Sequence, residues 1–119
     1  MRKSVLFVLA TLGAATPALA APSANQDRTG YTAIAAGDLS AAEQRIVAER
    51  KIFPQRPELM LNLASVYQRT GRDSEARALY AAVLERPAVA MDLPSGAVAS
   101  SHDLASRALA RQSRQIATR

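Results

Sequence analysis

The chain has 119 residues, a formal charge of +5, one His, no Cys and no Trp, and it is 49% hydrophobic but only 4% aromatic. A chain of this length holds one domain. The absence of Cys excludes disulfides, iron–sulfur clusters, thiolate zinc sites and Cys nucleophiles, and a single imidazole excludes multi-His metal constellations.

In chain order, residues 1–20 read MRKSVLFVLATLGAATPALA. Arg2 and Lys3 precede an apolar run from Val5 to Ala15, Pro17 breaks it, and Ala18-Leu19-Ala20 supplies a small-x-small cleavage site. This layout predicts a secretory signal peptide cut after Ala20, with an apolar part too short to span a bilayer. Cleavage leaves about 99 residues, and the loss of Arg2 and Lys3 leaves thirteen basic against ten acidic residues, a mature charge of +3. No later stretch reaches the ~18 apolar residues of a membrane span, so no transmembrane segment is expected in the mature chain. Only Lys3 and Lys51 are Lys among fifteen basic residues, an Arg bias that fits a GC-rich bacterial genome. The expected location is therefore the periplasm, with secretion as the other outcome of export.

Residues 21–30, APSANQDRTG, lack an apolar period and are expected to form a flexible leader. Helical patterning begins at Tyr31. Tyr31–Ala36 is one short stretch, Gly37 ends it, Asp38 can cap the next helix, and Leu39, Ala42 and Ile46 form an apolar stripe closed by Pro54. Residues 57–86 carry the strongest pattern. Pro57 suits a first helical turn, and Met60, Leu63, Ala64 and Tyr67 recur on one face. Gly71 fits a left-handed stop, and Asp73 or Ser74 can cap a second helix bearing Ala76, Leu79, Tyr80, Val83 and Leu84. Gly37 to Gly71 and Ala42 to Ala76 are both separated by 34 residues, a repeat signature.

Pro94, Ser95 and Gly96 make 88–99 a loop or extended segment. Ser100, with Asp103 three residues on, resembles a capping box that opens a terminal helix over 101–117. There Leu104, Ala105, Ala108, Leu109 and Ile116 oppose Arg107, Arg111 and Arg114. No window alternates with period two, which predicts that no sheet forms. The expected fold class is all-α, over a domain at 31–117.

Residues 57–87 resemble a tetratricopeptide repeat. Met60-x2-Leu63-Ala64-x2-Tyr67 stands where that family has W-x2-L-G-x2-Y, and Ala76-x3-Tyr80 stands for its A-x3-F, followed by a closing Pro. Leu63, Ala64, Tyr67, Gly71, Ala76 and Tyr80 are thus the structural repeat positions. Met60 departs from the large aromatic, Pro87 falls one residue earlier than the period set by Pro54, and the upstream copy at 31–54 shows only its second helix clearly. The resemblance implies a short stack of helical hairpins whose first helices line a concave groove that holds peptides. Its open side would carry Glu58, Leu61, Asn62, Ser65, Gln68 and Arg69. Asn62 matches an Asn that such proteins use on a peptide backbone or carboxylate. The basic partners of the chaperone-type carboxylate clamp are missing, with Leu61 in one of those positions.

Catalytic groupings are absent: there is no nucleophile elbow, phosphate loop, HExxH or His–Cys pair, and no enzyme activity, cofactor or metal is expected. His102 falls at a helix start, where a solvated ring is the expectation. Asp73 with Glu75, and Glu43 with Glu49, fit helix capping and outer faces, with no raised pKa expected. Arg107, Arg111, Arg114 and Arg119 follow Asp103 with no acid among them. They either solvate an outer face near a helix C-terminus or contact an anionic lipid, cell-wall polymer or acidic protein. Nucleic acid is not expected, since stacking aromatics are missing from this segment.

Two functions follow. The first is a non-catalytic protein-interaction module of the cell envelope with a protein or peptide partner. The second is a cationic structural protein that contacts anionic envelope material. Repeat stacks need about three units, so the open apolar face is completed either by 101–117 packing on 73–86 or by a partner or second copy, which would make a homo-oligomer.

Overall fold

A computed structural model of the chain describes residues 27–118. The expected signal peptide and cleavage site at residues 1–20, the first part of the expected leader and Arg119 lie outside the described residues. The element order is α1 (Tyr31–Ala35), α2 (Leu39–Arg50), α3 (Pro57–Arg69), α4 (Asp73–Leu84), β1 (Ala90–Asp92), β2 (Val98–Ser100) and α5 (Ser101–Ala117).

The helices form two consecutive hairpins, α1–α2 and α3–α4, related by the 34-residue period. Gly37 and Gly71 turn them with nearly identical φ values of 78° and 79°, a left-handed conformation that side chains with a Cβ rarely adopt. Ala42 and Ala76, at equivalent positions of the two hairpins, are each fully buried. Asp38 caps α2 by accepting from the Ala41 N–H at 3.1 Å, and Pro57 opens α3.

α3 is the central helix and serves two cores. Leu59, Leu63 and Val66 pack with Ala33, Ala42 and Ile46 of the first hairpin. Met60, Leu61 and Ala64 pack with Ala76, Tyr80 and Val83 of α4 and with Ala105 and Ala108 of α5. Neighbours on several sides explain why α3 buries more than the single stripe its periodicity shows. Each fully buried Leu or Val contributes about 1.5–3 kcal/mol relative to exposure. The terminal helix does pack on α4, and also touches α3, with Arg107, Arg111 and Arg114 outward.

Several expectations need correction. A sheet does form: β1 and β2 pair antiparallel in the register Ala90↔Ser100, Met91↔Ala99 and Asp92↔Val98. Its strands are three residues each, too short to show a period of two. Pro94-Ser95-Gly96 makes the turn, with Leu93 N–H donating to Ala97 O at 2.8 Å. The end of the leader is built into the domain, because Asp27 is 4% exposed and holds α1. Neither Asp73 nor Ser74 is the cap of α4; the N-cap is Arg72, the residue directly after Gly71, just as Asp38 directly follows Gly37 at the start of α2. On α5 the apolar stripe ends early. Gln112 is 2% exposed, with its amide donating to Asp73 O, whereas Ile116 lies beyond the edge of α4 and is 49% exposed. His102 is half-buried, and its Nε2 lies 2.5 Å from Arg86 O, because the ring folds back onto the end of α4.

Candidate functional site

A groove of about 510 Å³ opens on the face of the molecule formed by α1, α3, the hairpin and α5. Tyr31 and Ile34 form one wall, Glu58, Leu61, Asn62 and Ser65 of α3 form the floor, and Met91 to Pro94 with Leu104 form the opposite wall. Of the six residues expected on the open side of the first helix, the structure brings Glu58, Leu61, Asn62 and Ser65 together here. Leu61 is only 8% exposed, since the α4–α5 core takes most of its side chain. Gln68 and Arg69 lie elsewhere. Gln68 accepts the Tyr80 hydroxyl hydrogen bond at 3.2 Å, and Arg69 donates to Ile34 O at 3.4 Å. Burial of the Tyr80 hydroxyl raises its pKa, although the charge of Arg111 acts in the opposite direction.

The first wall is held by residues just upstream of α1. A helix of five residues does not form alone. The Asp27 carboxylate accepts the Thr32 and Ala33 N–H groups at 3.0 Å each and pairs with Arg45 at 2.8 Å. Burial, the largest single influence, pushes the Asp27 pKa up. The two N–H donors and Arg45 together outweigh it, so the carboxyl titrates below its ordinary value. Asn62 donates to Thr29 O at 2.9 Å, which ties the floor to the wall. The Asn that the family resemblance assigns to ligand therefore has one amide hydrogen engaged in positioning the groove.

The opposite wall is anchored at its base. Ser101 is fully buried; its N–H donates to Val89 O at 2.8 Å, and its hydroxyl accepts the Val89 N–H at 3.0 Å. The Ser100 hydroxyl caps α5 by accepting the His102 N–H at 3.1 Å. The groove is thus bounded by two helical hairpins on one side and a pinned β-hairpin on the other. Sequence reasoning missed Met91, Asp92, Leu93 and Pro94, which lie in a segment without periodicity.

Arg72 was also missed. It makes two 2.7 Å hydrogen bonds to the Glu43 carboxylate and stacks 4.3 Å from the Tyr67 ring centre, joining α2 to the α3–α4 turn. The Arg72 hydrogen bonds and charge lower the Glu43 pKa against burial, and Glu43 in turn holds Arg72 charged. Glu43 is therefore an inter-hairpin tie, not a solvated outer-face acid.

Arg107, Arg111 and Arg114 are exposed on the outer side of α5, while the fourth cation of that set, Arg119, lies outside the described residues. Among the described residues, no group of three His, Cys, Asp or Glu side chains could hold a metal, and no helix is long and apolar enough to cross a membrane.

Two helical hairpins at a fixed 34-residue offset, followed by a helix that covers the last of them, define a helical-repeat protein. Residues 33–89 match the family model described as Tetratricopeptide repeat, a span that runs from α1 through α4 and leaves the β-hairpin and α5 outside. Residues 33–89 are therefore a tetratricopeptide repeat region. Comparison with curated proteins and with solved structures returned no match. Such repeats are generally non-catalytic and mediate protein–protein interaction.

Proposed function

We propose that the protein is an exported, non-catalytic peptide-binding module of the bacterial cell envelope, and that its ligand lies in the groove between α1, α3 and the β-hairpin. The observation that carries this reading is the concave groove itself, lined by apolar Tyr31, Ile34, Leu61, Met91 and Leu104 on the face that tetratricopeptide repeats use for peptides. Export rests on the signal-like residues 1–20.

The test is affinity capture from envelope extract with the parent and with Ser65→Arg, which fills the groove from a half-buried position while leaving the two cores untouched. A partner retained by the parent and lost from a variant of equal melting temperature supports the reading. Identical capture by both overturns it. Cell fractionation and the mass of the mature chain test export. Recovery in the cytoplasm with residues 1–20 intact would refute that part.

A second reading draws on the α5 arginines. Arg107, Arg111 and Arg114 project at i, i+4 and i+7 and make no salt bridge among the described residues. An outer helix face of this kind suits anionic lipid or cell-wall polymer. Co-sedimentation with phosphatidylglycerol vesicles at low and high salt tests it. Binding that vanishes at high salt and in the Arg107→Glu/Arg111→Glu/Arg114→Glu variant supports it; no binding at low salt removes it.

A further inference from the structure

The groove has one wall of a different kind from the others, and that wall narrows the class of ligand. The consecutive β1 residues Met91 and Asp92 line it, together with Leu93 and Pro94 of the following turn, whereas no residue of β2 does. Successive strand residues point to opposite faces of a sheet, so a strand that meets a cavity through consecutive residues meets it by its edge. The hydrogen-bond register agrees. Leu93 N–H donates to Ala97 O, and Ser101 N–H donates to Val89 O, so Val89, Met91 and Leu93 direct their backbone groups toward β2. Ala90 and Asp92, between them, direct their N–H and C=O groups to the other edge. The sheet has two strands, and that edge of β1 has no strand beside it among the described residues.

Charge supplies a second constraint. The protein is basic overall, yet the charged side chains among the described residues lining the groove are both acids, Glu58 and Asp92. Glu58 has only a solvent-exposed contact with Arg56 at 3.3 Å, and Asp92 is exposed with no salt bridge among the described residues. We infer that the groove takes an extended peptide carrying a basic side chain, which adds a third strand to the free edge of β1 and sets its cation between Glu58 and Asp92. The inference rests on the groove reading above and specifies its ligand. Main-chain pairing supplies affinity, and the apolar floor with the two carboxylates supplies selectivity.

The experiment uses the purified protein and an array of nine-residue peptides with a fixed central Lys or a fixed central Glu and randomised flanks. The strongest binder is then titrated into ¹⁵N-labelled protein. Lys-centred peptides should dominate, and the amides of Ala90 and Asp92 should shift and gain exchange protection. N-methylation of every second peptide residue should weaken binding about tenfold in one phase and leave it unchanged in the other, since each strand hydrogen bond is worth about 1 kcal/mol. Asp92→Asn, which keeps the backbone N–H, should weaken Lys-centred binding about threefold. Asp92→Pro, which removes the outward N–H together with the carboxylate, should weaken binding further than Asp92→Asn does, while the helical signal is kept.

Binding that shifts Leu61 and Ser65 but leaves Ala90 and Asp92 unprotected and is indifferent to N-methylation overturns strand addition while sparing the groove. Equal capture of Glu-centred peptides overturns the charge assignment. A self-association that shifts the same amides without peptide replaces the ligand with a second copy. No binding anywhere on the array overturns both the inference and the groove reading.

Discussion

Replacing Asp27 with Ala should unfold the first wall of the groove more readily than any contact seen from the helices alone would predict. Asp27 precedes α1 by four residues but supplies the acceptor for the Thr32 and Ala33 N–H groups, and the Ala33 donor is buried. Loss of a helix-capping side chain costs about 1 kcal/mol. Leaving a buried N–H without an acceptor adds about 1–2 kcal/mol. Arg45 keeps access to water, so the lost ion pair adds little. The sum is about 2–3 kcal/mol, which in a domain of this size lowers Tm by about 10–20 °C.

The same carboxylate gives the effect a pH signature. Its folded pKa lies below the ordinary 3.8, so the unfolded chain binds the proton first. Its stabilisation is complete above about pH 4 and is lost as pH falls through the folded value. Circular dichroism melts of parent and Asp27→Ala at pH 7 and at steps below pH 4 check both parts. The gap between them should be wide at pH 7 and narrow with acid. A variant that melts with the parent at pH 7, or a gap that widens with acid, would refute the role of Asp27.

Three further outcomes follow. Gly71→Val should cost about 1–2 kcal/mol from backbone strain alone, since a Cβ there meets nothing within 4 Å, whereas Gly30→Ala should cost more because its Cβ would lie 2.6 Å from Ile46 Cγ1; urea denaturation measures both, and the reverse order would contradict the packing. Arg72→Lys should lower Tm despite the retained charge, because Lys loses both the paired hydrogen bonds to Glu43 and the stack on Tyr67, and combining it with Glu43→Gln should be less than additive. Ser101→Ala should cost about 1–2 kcal/mol and speed amide exchange across residues 89–92 while leaving α1 and α2 unchanged; uniform acceleration would show that the β-hairpin is not separately pinned.

The helical framework was legible because its causes are local. The 34-residue recurrence of Gly37 with Gly71 and Ala42 with Ala76 marks two equivalent turns and two buried small-residue positions, and the spacing of Met60, Leu63, Ala64 and Tyr67 marks a buried face of α3. The rest of the groove depends on contacts distant in sequence. Asp27 looks like part of a polar leader until α1 and Arg45 surround it, and Arg72 looks like a surface cation until Glu43, 29 residues away, receives it. The three-residue strands are too short for any periodic signal; the turn chemistry of Pro94-Ser95-Gly96 was the one clue to a hairpin. On α5 the apolar residues alone defined the stripe, which passed over the polar Gln112 although its spacing from Ala105 and Ala108 puts it on the buried face, and which included Ile116, exposed because α5 runs past the end of its support on α4.

The central claim is that the face between α1, α3 and the β-hairpin, and not the arginine-bearing face of α5, is where the protein meets its partner. The most direct test places a photo-crosslinking p-benzoylphenylalanine at Ser65 in the groove or at exposed Ser106 on α5, in living cells, with the adducts mapped by mass spectrometry. The account predicts a discrete peptide adduct from position 65 that excess groove-binding peptide suppresses, and none from position 106. Adducts from position 106 alone, with position 65 silent, would contradict it.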